Sequence, residues 1–335
     1  MKLSEIGEFG FIDRITPNCV TRSQGLIQGI GDDAAVLKKD SRFYFLVTTD
    51  LLVEDVHFLR RKITPWQLGW KSLAVNLSDI AAMGGIAREA FLSLGIPKDM
   101  DVDYWDDFYR GFKELATQWK VNLSGGDTTG SCGPIVVCVT VVGEVPKEEV
   151  IYRRGAKPGD RIVVTGNLGD SGAGLDILLE KDTQAELEFA NLLKAHHEPT
   201  PHLTEGRWLA RTGAVTAMID ISDGLAQDLG HICDRSGVGA RIELQKIPLS
   251  ETFINYVESR KRNRWELSLG AGEDYVLLCT IRKERFQEIH QTWEKHFGHP
   301  LFEIGTIEKE KSIQYQNTDG TLVNIGKTGF DHFVN

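Results

Sequence analysis

Runs of apolar residues predict β-strands and helices in both halves of the chain. In the first half, the runs at 42–49 and 134–145 are typical of strands. Between them, residues 64–83 carry apolar side chains at three-to-four spacing, which predicts a helix. Thr64 suits the N-cap and Pro65 suits the first helical turn, and two glycines then end the helix.

The second half repeats this mixture of elements. A strand is predicted at 161–166, a glycine-rich turn at 167–174 and a helix at 175–181. A further strand at 214–220 precedes a helix at 222–237, whose buried face is Leu225, Leu229, Ile232 and Cys233. Charged residues and prolines separate the halves, so we place a domain boundary near residue 148, giving domains 1–148 and 149–335. Such a mixture indicates the α/β or α+β class.

Composition limits the possible partners. The chain has 335 residues, 41% hydrophobic content and a net charge of −10, which is typical of a globular protein and makes duplex nucleic acid a poor default partner. The N-terminus lacks a secretory signal and the longest apolar run is too short to span a bilayer, so we expect no membrane partner and a cytoplasmic protein. Five cysteines without a CxxC pair are expected to be reduced and mostly in the core.

Aspartates recur beside apolar or glycine-rich segments. Two carboxylates about 4 Å apart repel by roughly 4 kcal/mol at an effective dielectric constant near 20, so a group of opposite charge is expected nearby. Helix capping is the alternative and suits Ser222 or Asp223, but it gives other aspartates no necessary role. A set of carboxylates without cysteine favours Mg²⁺ with substrate phosphates, whereas a calcium loop starting at Asp220 would have His231 where a glutamate belongs. The stretches are GIGDDAAVL (29–37), VTTDLLVEDVHF (47–58), VNLSDIAAMGG (75–85), LSGGDTTG (123–130) and IDISDGLAQDLGHI (219–232).

The turn at 165–174 and His57 each have both a functional and a structural interpretation, whereas His196 and His197 have only a structural one. The turn at 165–174 has the strand-to-helix geometry that can bind phosphate, but it matches no named fingerprint, and tight packing explains it equally well. His57 is either a functional residue or a histidine satisfied in the core. His196 and His197 are expected at the surface.

Eight segments, in order along the chain, resemble the thiamine-monophosphate kinase family. They are GIGDDAAVL, TTDLLVEDVHF, KSLAVNLSDIAAMGG, GGDTTGS, GAKPGDRIVVTG, DISDGLAQDLGHI, GAGEDYVLL and GFDHF, and they extend from residue 29 to 333. The GAGED segment, in place of the commoner GGED, is a mild departure. The family is grouped with aminoimidazole ribonucleotide synthetase, selenophosphate synthetase and the hydrogenase-maturation dehydratase.

The resemblance implies a two-domain fold like that of the synthetase, with an N-terminal domain for ATP, magnesium and dimerisation and a C-terminal α/β domain. It implies a homodimer whose N-terminal sheets form a β-barrel, and transfer of the γ-phosphoryl group of ATP to thiamine monophosphate with several Mg²⁺ ions. Position by position, the matching metal ligands are Asp33, Thr48, Thr49, Asp50, Asp79, Asp127, Asp220 and Asp223. The matching ATP contacts are Tyr109, Gly126, Asp127, Arg153 and Ser222, and the matching substrate contacts are His57, Glu273 and Phe330.

This family assignment gives the aspartates a role in mechanism. The acceptor is a phosphate monoester that is largely ionised at pH 7, so no general base is required. The difficulty is to bring two polyanions together, which metal ions held by aspartates would relieve. Another member of the superfamily, a ligase or dehydratase, is the alternative, but Cys19 is not in a glycine-rich segment and the chain ends in DHFVN rather than in a cysteine tail. A nucleotide sensor without turnover is a second alternative.

Overall fold

The structure is a computed structural model that describes residues 2–180, 183–323, 329, 332 and 333. The helices are α1 Leu3–Ile15, α2 Pro65–Ala82, α3 Val102–Trp119, α4 Asp170–Glu180, α5 Thr183–Glu188, α6 Ala190–His197, α7 Leu203–Arg211, α8 Leu225–Ser236, α9 Glu251–Arg260, α10 Arg264–Gly270 and α11 Lys283–Phe297, with a 3₁₀ turn at Leu244–Lys246. The strands are β1 Leu26–Gln28, β2 Ala35–Lys38, β3 Phe43–Val53, β4 Ile86–Pro97, β5 Asn122–Ser131, β6 Val136–Pro146, β7 Arg161–Val164, β8 Val215–Asp220, β9 Gly239–Glu243, β10 Leu277–Ile281, β11 Phe302–Glu308, β12 Ile313–Gln316 and β13 Leu322–Val323.

The described strands form two sheets. The first has the order β1-β2-β3-β6-β4-β5 and the second the order β13-β12-β9-β11-β7-β10-β8. Neighbours are antiparallel except for β4 with β5 and β9 with β12. Each sheet is open within the described residues, because β1 and β5 end the first sheet and β13 and β8 end the second. The mixed α/β class is confirmed, with helices packed on sheets in both halves.

Helix α2 packs between the first sheet, helix α3 and the second half of the chain. Thr64 and Gln67 form a capping box at its start, and Pro65 is in the first turn. Neighbouring side chains therefore satisfy backbone N–H groups at the start of the helix. Two glycines allow α2 and α3 to touch: an added Cβ would lie 2.0 Å from the Phe108 carbonyl oxygen at Gly69, and 1.9 Å from the Trp66 carbonyl oxygen at Gly111. The close crossing therefore fixes α2, which carries site residues, against the rest of the core.

Most of the predicted elements are confirmed, with shifted ends. The first predicted strand extends through Asp50, because its pairing with β6 continues to Val53. The helix predicted at 175 begins at Asp170, inside the predicted glycine-rich turn. The buried face predicted for α8 is confirmed. Residues 147–160 connect the two sheets and include the proposed domain boundary near 148, which stays a prediction.

The expected core position of the cysteines is largely wrong, since only Cys233 and Cys279 are buried, whereas Cys19 and Cys132 are exposed and Cys138 is half-buried. All are free thiols. Among the described helices, none combines the length and the apolar character needed to cross a membrane.

Candidate active site

Aspartates from separate elements meet where α2 ends beside both sheets. Carboxylate oxygens of Asp33, Asp79 and Asp220 lie within 4.8 Å of one another. Asp33 precedes β2, Asp79 is in the last turn of α2 and Asp220 ends β8, so only the fold brings them together. Asp50 is close enough for its charge to act on Asp79 and Asp220, and Asp223 is close enough to act on Asp50. We call these five residues, Asp33, Asp50, Asp79, Asp220 and Asp223, the aspartate cluster.

Burial and mutual repulsion disfavour ionisation of the cluster. Burial, followed by the charge of Asp223, raises the pKa of Asp50 to about 6, and burial followed by Asp33 raises the pKa of Asp220 to about 7. The pKa of Asp79 lies well above its ordinary value because it is buried and faces Asp50, Asp220 and Asp33. Without a cation, the cluster is therefore strained at neutral pH.

The cations of the chain balance only a small part of this charge. The Arg153 guanidinium pairs with Asp33, with 2.7 Å between Nη2 and Oδ1, and its backbone N–H donates to Asp32 at 2.9 Å. In the described part of the chain, no other ion pair reaches a member of the cluster. The pKa of Arg153 is raised by Asp33 and the surrounding aspartates against the opposing effect of burial, so it stays charged.

The cluster fits a hard divalent cation. Asp33 Oδ2 is buried and has no hydrogen-bond partner among the described residues, although burying such an oxygen unpaired is costly. Hydroxyl groups of the chain satisfy two neighbouring oxygens, since Thr48 donates to Asp79 and Ser78 donates to Asp220 at 2.6 Å. An all-oxygen donor set with excess negative charge is what Mg²⁺ prefers, and Thr48 and the cluster residues are the groups that would hold it.

The two remaining predicted metal ligands lie on the other face of the first sheet. Side chains alternate along β3, so exposed Thr49 faces away from Asp50. Asp127 is exposed on β5, where it pairs with Ser93 of β4. Three strand spacings separate β3 from β5, which is about 14 Å. One copy of the chain therefore does not bring Thr49 and Asp127 to the aspartate cluster.

The predicted ATP contacts fall into two groups. Tyr109, Gly126 and Asp127 line one cavity of about 440 Å³ at the edge of the first sheet. Gly126 has a φ of +155°, and an added Cβ would lie 1.7 Å from the carbonyl oxygen of Leu92, so only glycine fits there. Arg153 and Ser222 instead lie with the aspartates, Ser222 in the turn that connects Asp220 to Asp223.

Two of the three predicted substrate contacts, His57 and Glu273, are among the described residues. His57 is half-buried, and its Nδ1 accepts a hydrogen bond from the Val53 N–H at 3.0 Å. Burial, together with the nearby charges of His332 and Lys71, lowers the pKa of His57 to about 4, so the ring is neutral at pH 7. Glu273 has a φ of +67°, which is uncommon for a residue with a side chain and typical of functional loops. Phe330, the third predicted substrate contact, lies outside the described residues.

The turn at 165–174 is explained by packing rather than by phosphate. Asp274 accepts hydrogen bonds from the N–H groups of Gly169 at 2.8 Å and Ser171 at 3.3 Å, so a carboxylate of the chain already occupies the start of α4. Burial raises the pKa of Asp274 to about 8.

Capping of α8 is not the role of Ser222 or Asp223. The N-cap of this helix is Gly224, and Asp228 accepts hydrogen bonds from the Asp223 and Gly224 N–H groups.

The sequence-based interpretation missed several buried polar residues. The expectation that His196 and His197 are at the surface is wrong: both are buried, because α6 packs against α4. Lys71 is fully buried and pairs with Glu273, with 2.9 Å between Nζ and Oε1. A signal for Lys71 was present, since it and Asp79 are the only charged residues of α2.

Comparison with known proteins identifies the family. The AIR synthase related protein N-terminal domain matches residues 31–145, and the corresponding C-terminal domain matches residues 157–316. Thiamine-monophosphate kinases of Buchnera aphidicola (subsp. Schizaphis graminum) and Escherichia coli K12 are 37% and 38% identical over 98% of this chain, covering 100% and 98% of theirs.

Solved structures agree with this similarity. A structure described as AaThiL complexed with AMPPCP and TMP is 37% identical, with a TM-score of 0.86 over 99% of both chains. The hydrogenase maturation protein HypE of E. coli shares the fold at 16% identity, with a TM-score of 0.68 over 84% of this chain and 85% of its own. The chain therefore belongs to the thiamine-monophosphate kinase family of enzymes, within the AIR synthase related proteins.

Proposed function

We propose that this chain transfers the γ-phosphoryl group of ATP to the phosphate of thiamine monophosphate, giving thiamine diphosphate and ADP. The observation that carries the proposal is the convergence of buried aspartate oxygens within 4.8 Å, beside Arg153. A relative with 37% identity was solved with AMPPCP and TMP, which supports the same pair of substrates here.

The proposed mechanism is direct in-line transfer. The acceptor phosphate has a second pKa near 6 and is already nucleophilic at neutral pH, so the chain needs no general base. Bound Mg²⁺ would neutralise and align the phosphates of both substrates. Arg153 remains charged and would stabilise negative charge at the transferred group. Tyr109, Gly126 and Ser222 would contact ATP, and His57, Glu273 and Phe330 would contact thiamine monophosphate.

The test is a coupled assay of ADP release combined with chromatography of the thiamine products. With ATP and Mg²⁺, thiamine monophosphate should give thiamine diphosphate, whereas thiamine should not be a substrate. His57→Ala and Glu273→Ala should mainly raise the KM for thiamine monophosphate. Tight MgATP binding without turnover would instead support a nucleotide sensor, and equal use of thiamine would contradict the proposed acceptor.

A labelling experiment tests direct transfer. Incubation with γ-labelled ATP but no acceptor should leave the protein unlabelled, because no nucleophile in the proposed mechanism accepts the phosphoryl group. Stoichiometric covalent label on the protein would contradict in-line transfer between substrates while leaving the overall reaction intact.

We also propose that the active form is a homodimer, in which the first sheets of two copies form a barrel. The open face of this sheet exposes apolar side chains, including Leu51 at 50% and Phe91 at 39%, and β5 is an exposed edge strand. Thr49 and Asp127 are on this face as well. A second copy would cover the apolar area and bring further groups to these two residues.

Light scattering coupled to gel filtration tests the dimer. The wild type should have twice the monomer mass of 37.4 kDa. Leu51→Glu should give the monomer, whereas Leu187→Glu, at a site 84% exposed on α5, should leave the dimer intact. A monomeric wild type with full activity would contradict the proposal.

A further inference from the structure

Lys71 is a buried charged residue to which the proposed mechanism assigns no role. It lies in the second turn of α2, and its side chain is 0% exposed. Its ammonium nitrogen is 2.9 Å from Glu273 Oε1, in an ion pair that lacks regular hydrogen-bond geometry. Burying an ammonium group is costly unless it is paired, so the contact with Glu273 is what makes this position tolerable.

Stability alone is a weak explanation for such a pair. Replacing both members of a buried ion pair by apolar residues of similar size is often neutral or stabilising. The partner, moreover, is not an ordinary core residue: Glu273 is 23% exposed and holds an unfavourable positive φ in the loop after α10. A buried lysine therefore fixes a carboxylate that still reaches the open side of the site.

The other carboxylate oxygen of Glu273 also lies close to a protein side chain. His196 Nδ1 lies 3.3 Å from Oε2 and 3.1 Å from the Ser171 hydroxyl. Burial, then the charges of Lys71 and His197, lower the pKa of His196 well below its ordinary value, so the ring is a neutral hydrogen-bonding group. Each oxygen of the Glu273 carboxylate therefore has a protein nitrogen within 3.3 Å, which restricts the orientation of the group.

We propose that Lys71 is a positioning residue, which holds the Glu273 carboxylate in one orientation for contact with the positively charged thiamine moiety. The inference rests on the proposed function, in which Glu273 binds thiamine monophosphate. Thiamine carries a quaternary thiazolium nitrogen, so a carboxylate placed beside it attracts it, and a misplaced carboxylate attracts it less.

Steady-state kinetics of Lys71→Met test the inference, because methionine keeps most of the side-chain volume without the charge. The KM for thiamine monophosphate should rise by about tenfold or more, while kcat changes by less than about threefold and the KM for ATP is unchanged. A merely structural role would alter both KM values and kcat together. An unchanged KM for thiamine monophosphate would overturn the inference.

A double variant shows whether Lys71 acts through Glu273. Lys71→Met combined with Glu273→Gln should have the KM of Glu273→Gln alone, because the lysine has no further carboxylate to position. This variant also removes both charges, so it leaves no unpaired buried ion if Lys71→Met by itself fails to fold. A further tenfold rise of KM in the double variant would overturn the inference.

Lys62→Met is the matched control. Lys62, in the first half of the chain, pairs with Glu186 in the second half, and among the described residues no ion pair or hydrogen bond joins it to Glu273, so the variant should keep wild-type KM values. The wild type is measured first, since lack of turnover with thiamine monophosphate would contradict the proposed function. An active wild type with an unaltered Lys71→Met would contradict only the role of Lys71.

Discussion

Two buried polar groups lie along the same helix and differ in charge balance. Near the end of α2, the aspartate cluster combines five carboxylates with one guanidinium, from Arg153. Eight residues earlier, about 12 Å along the helix, Lys71 pairs with Glu273, whose other carboxylate oxygen lies beside neutral His196. The first group has excess negative charge, whereas the second is balanced within the chain.

The difference in charge balance indicates whether each group requires a bound ion. The aspartate cluster gains from a bound cation, because its carboxylates repel one another and Asp33 Oδ2 has no partner in the described residues. The group around Lys71 needs no ion and is instead geometrically fixed. Under the proposed function, the first group would hold the metal ions that bring the phosphates together, and the second would orient the thiamine moiety.

The largest expected effect is on turnover when a cluster charge is removed. Asp50→Asn should lower kcat by about 100-fold or more, because one charge of the metal site is lost while the side-chain volume is kept. Asp40→Asn is the control, since Asp40 is exposed in a turn and binds the Arg42 and Phe43 N–H groups. If both variants keep wild-type kcat, the cluster is not the metal site.

Thermal unfolding with and without metal should separate repulsion from binding. MgATP at about 100 times its Kd should stabilise the wild type by about 2.7 kcal/mol, or several degrees in Tm. Asp79→Asn should lose most of this shift, yet the metal-free variant should melt at the wild-type temperature or higher, because a repulsive charge is gone. A metal-free variant that melts several degrees lower and keeps the MgATP shift would make Asp79 a structural residue.

The pH dependence of stability should report the raised pKa of the aspartate cluster. The folded pKa of Asp220 is about 7, above the unfolded value near 3.9, so the folded state binds more protons between these limits. This group therefore destabilises the metal-free protein increasingly as pH rises from about 4 to 7. The lowered pKa of His57, about 4, acts in the opposite direction, favouring folding as pH rises towards 6.5.

The measurement is urea unfolding in EDTA at pH 5 and pH 8, compared between wild type and Asp220→Asn. Because the histidines are common to both proteins, the difference reports on Asp220 and the carboxylates that it repels. The variant should gain more stability relative to the wild type at pH 8 than at pH 5. An equal difference at both pH values would show that Asp220 does not titrate between them.

The smallest expected effect concerns one hydrogen bond. Ser78→Ala removes the donor at 2.6 Å from Asp220 and should change the free energy of unfolding by about 1 kcal/mol. The loss of kcat should be far smaller than for Asp50→Asn. If Ser78→Ala is as damaging as the loss of a carboxylate, hydrogen bonding rather than charge determines the function of the cluster.

The local sequence determined much of the fold. Helix α2 was predictable from Thr64, Pro65 and its apolar spacing, since capping and amphipathicity are properties of neighbouring residues. The sequence also contained the aspartates, and the ordered motifs identified the family to which comparison assigns the chain. The roles that the family resemblance implies for Thr49, Asp127 and the remaining site residues stay predictions.

Only the tertiary structure decided which polar residues share an environment. Asp33 and Asp220 are distant in sequence, and their oxygens meet because β8 ends beside the turn before β2. His196, which the sequence predicted to be at the surface, is buried because α6 packs on α4. Lys71 pairs with Glu273, which is about two hundred residues away in the sequence. Burial and electrostatic coupling depend on distances in space, which the long-range packing of the folded chain determines. Sequence patterns show only the local structure that neighbouring residues favour.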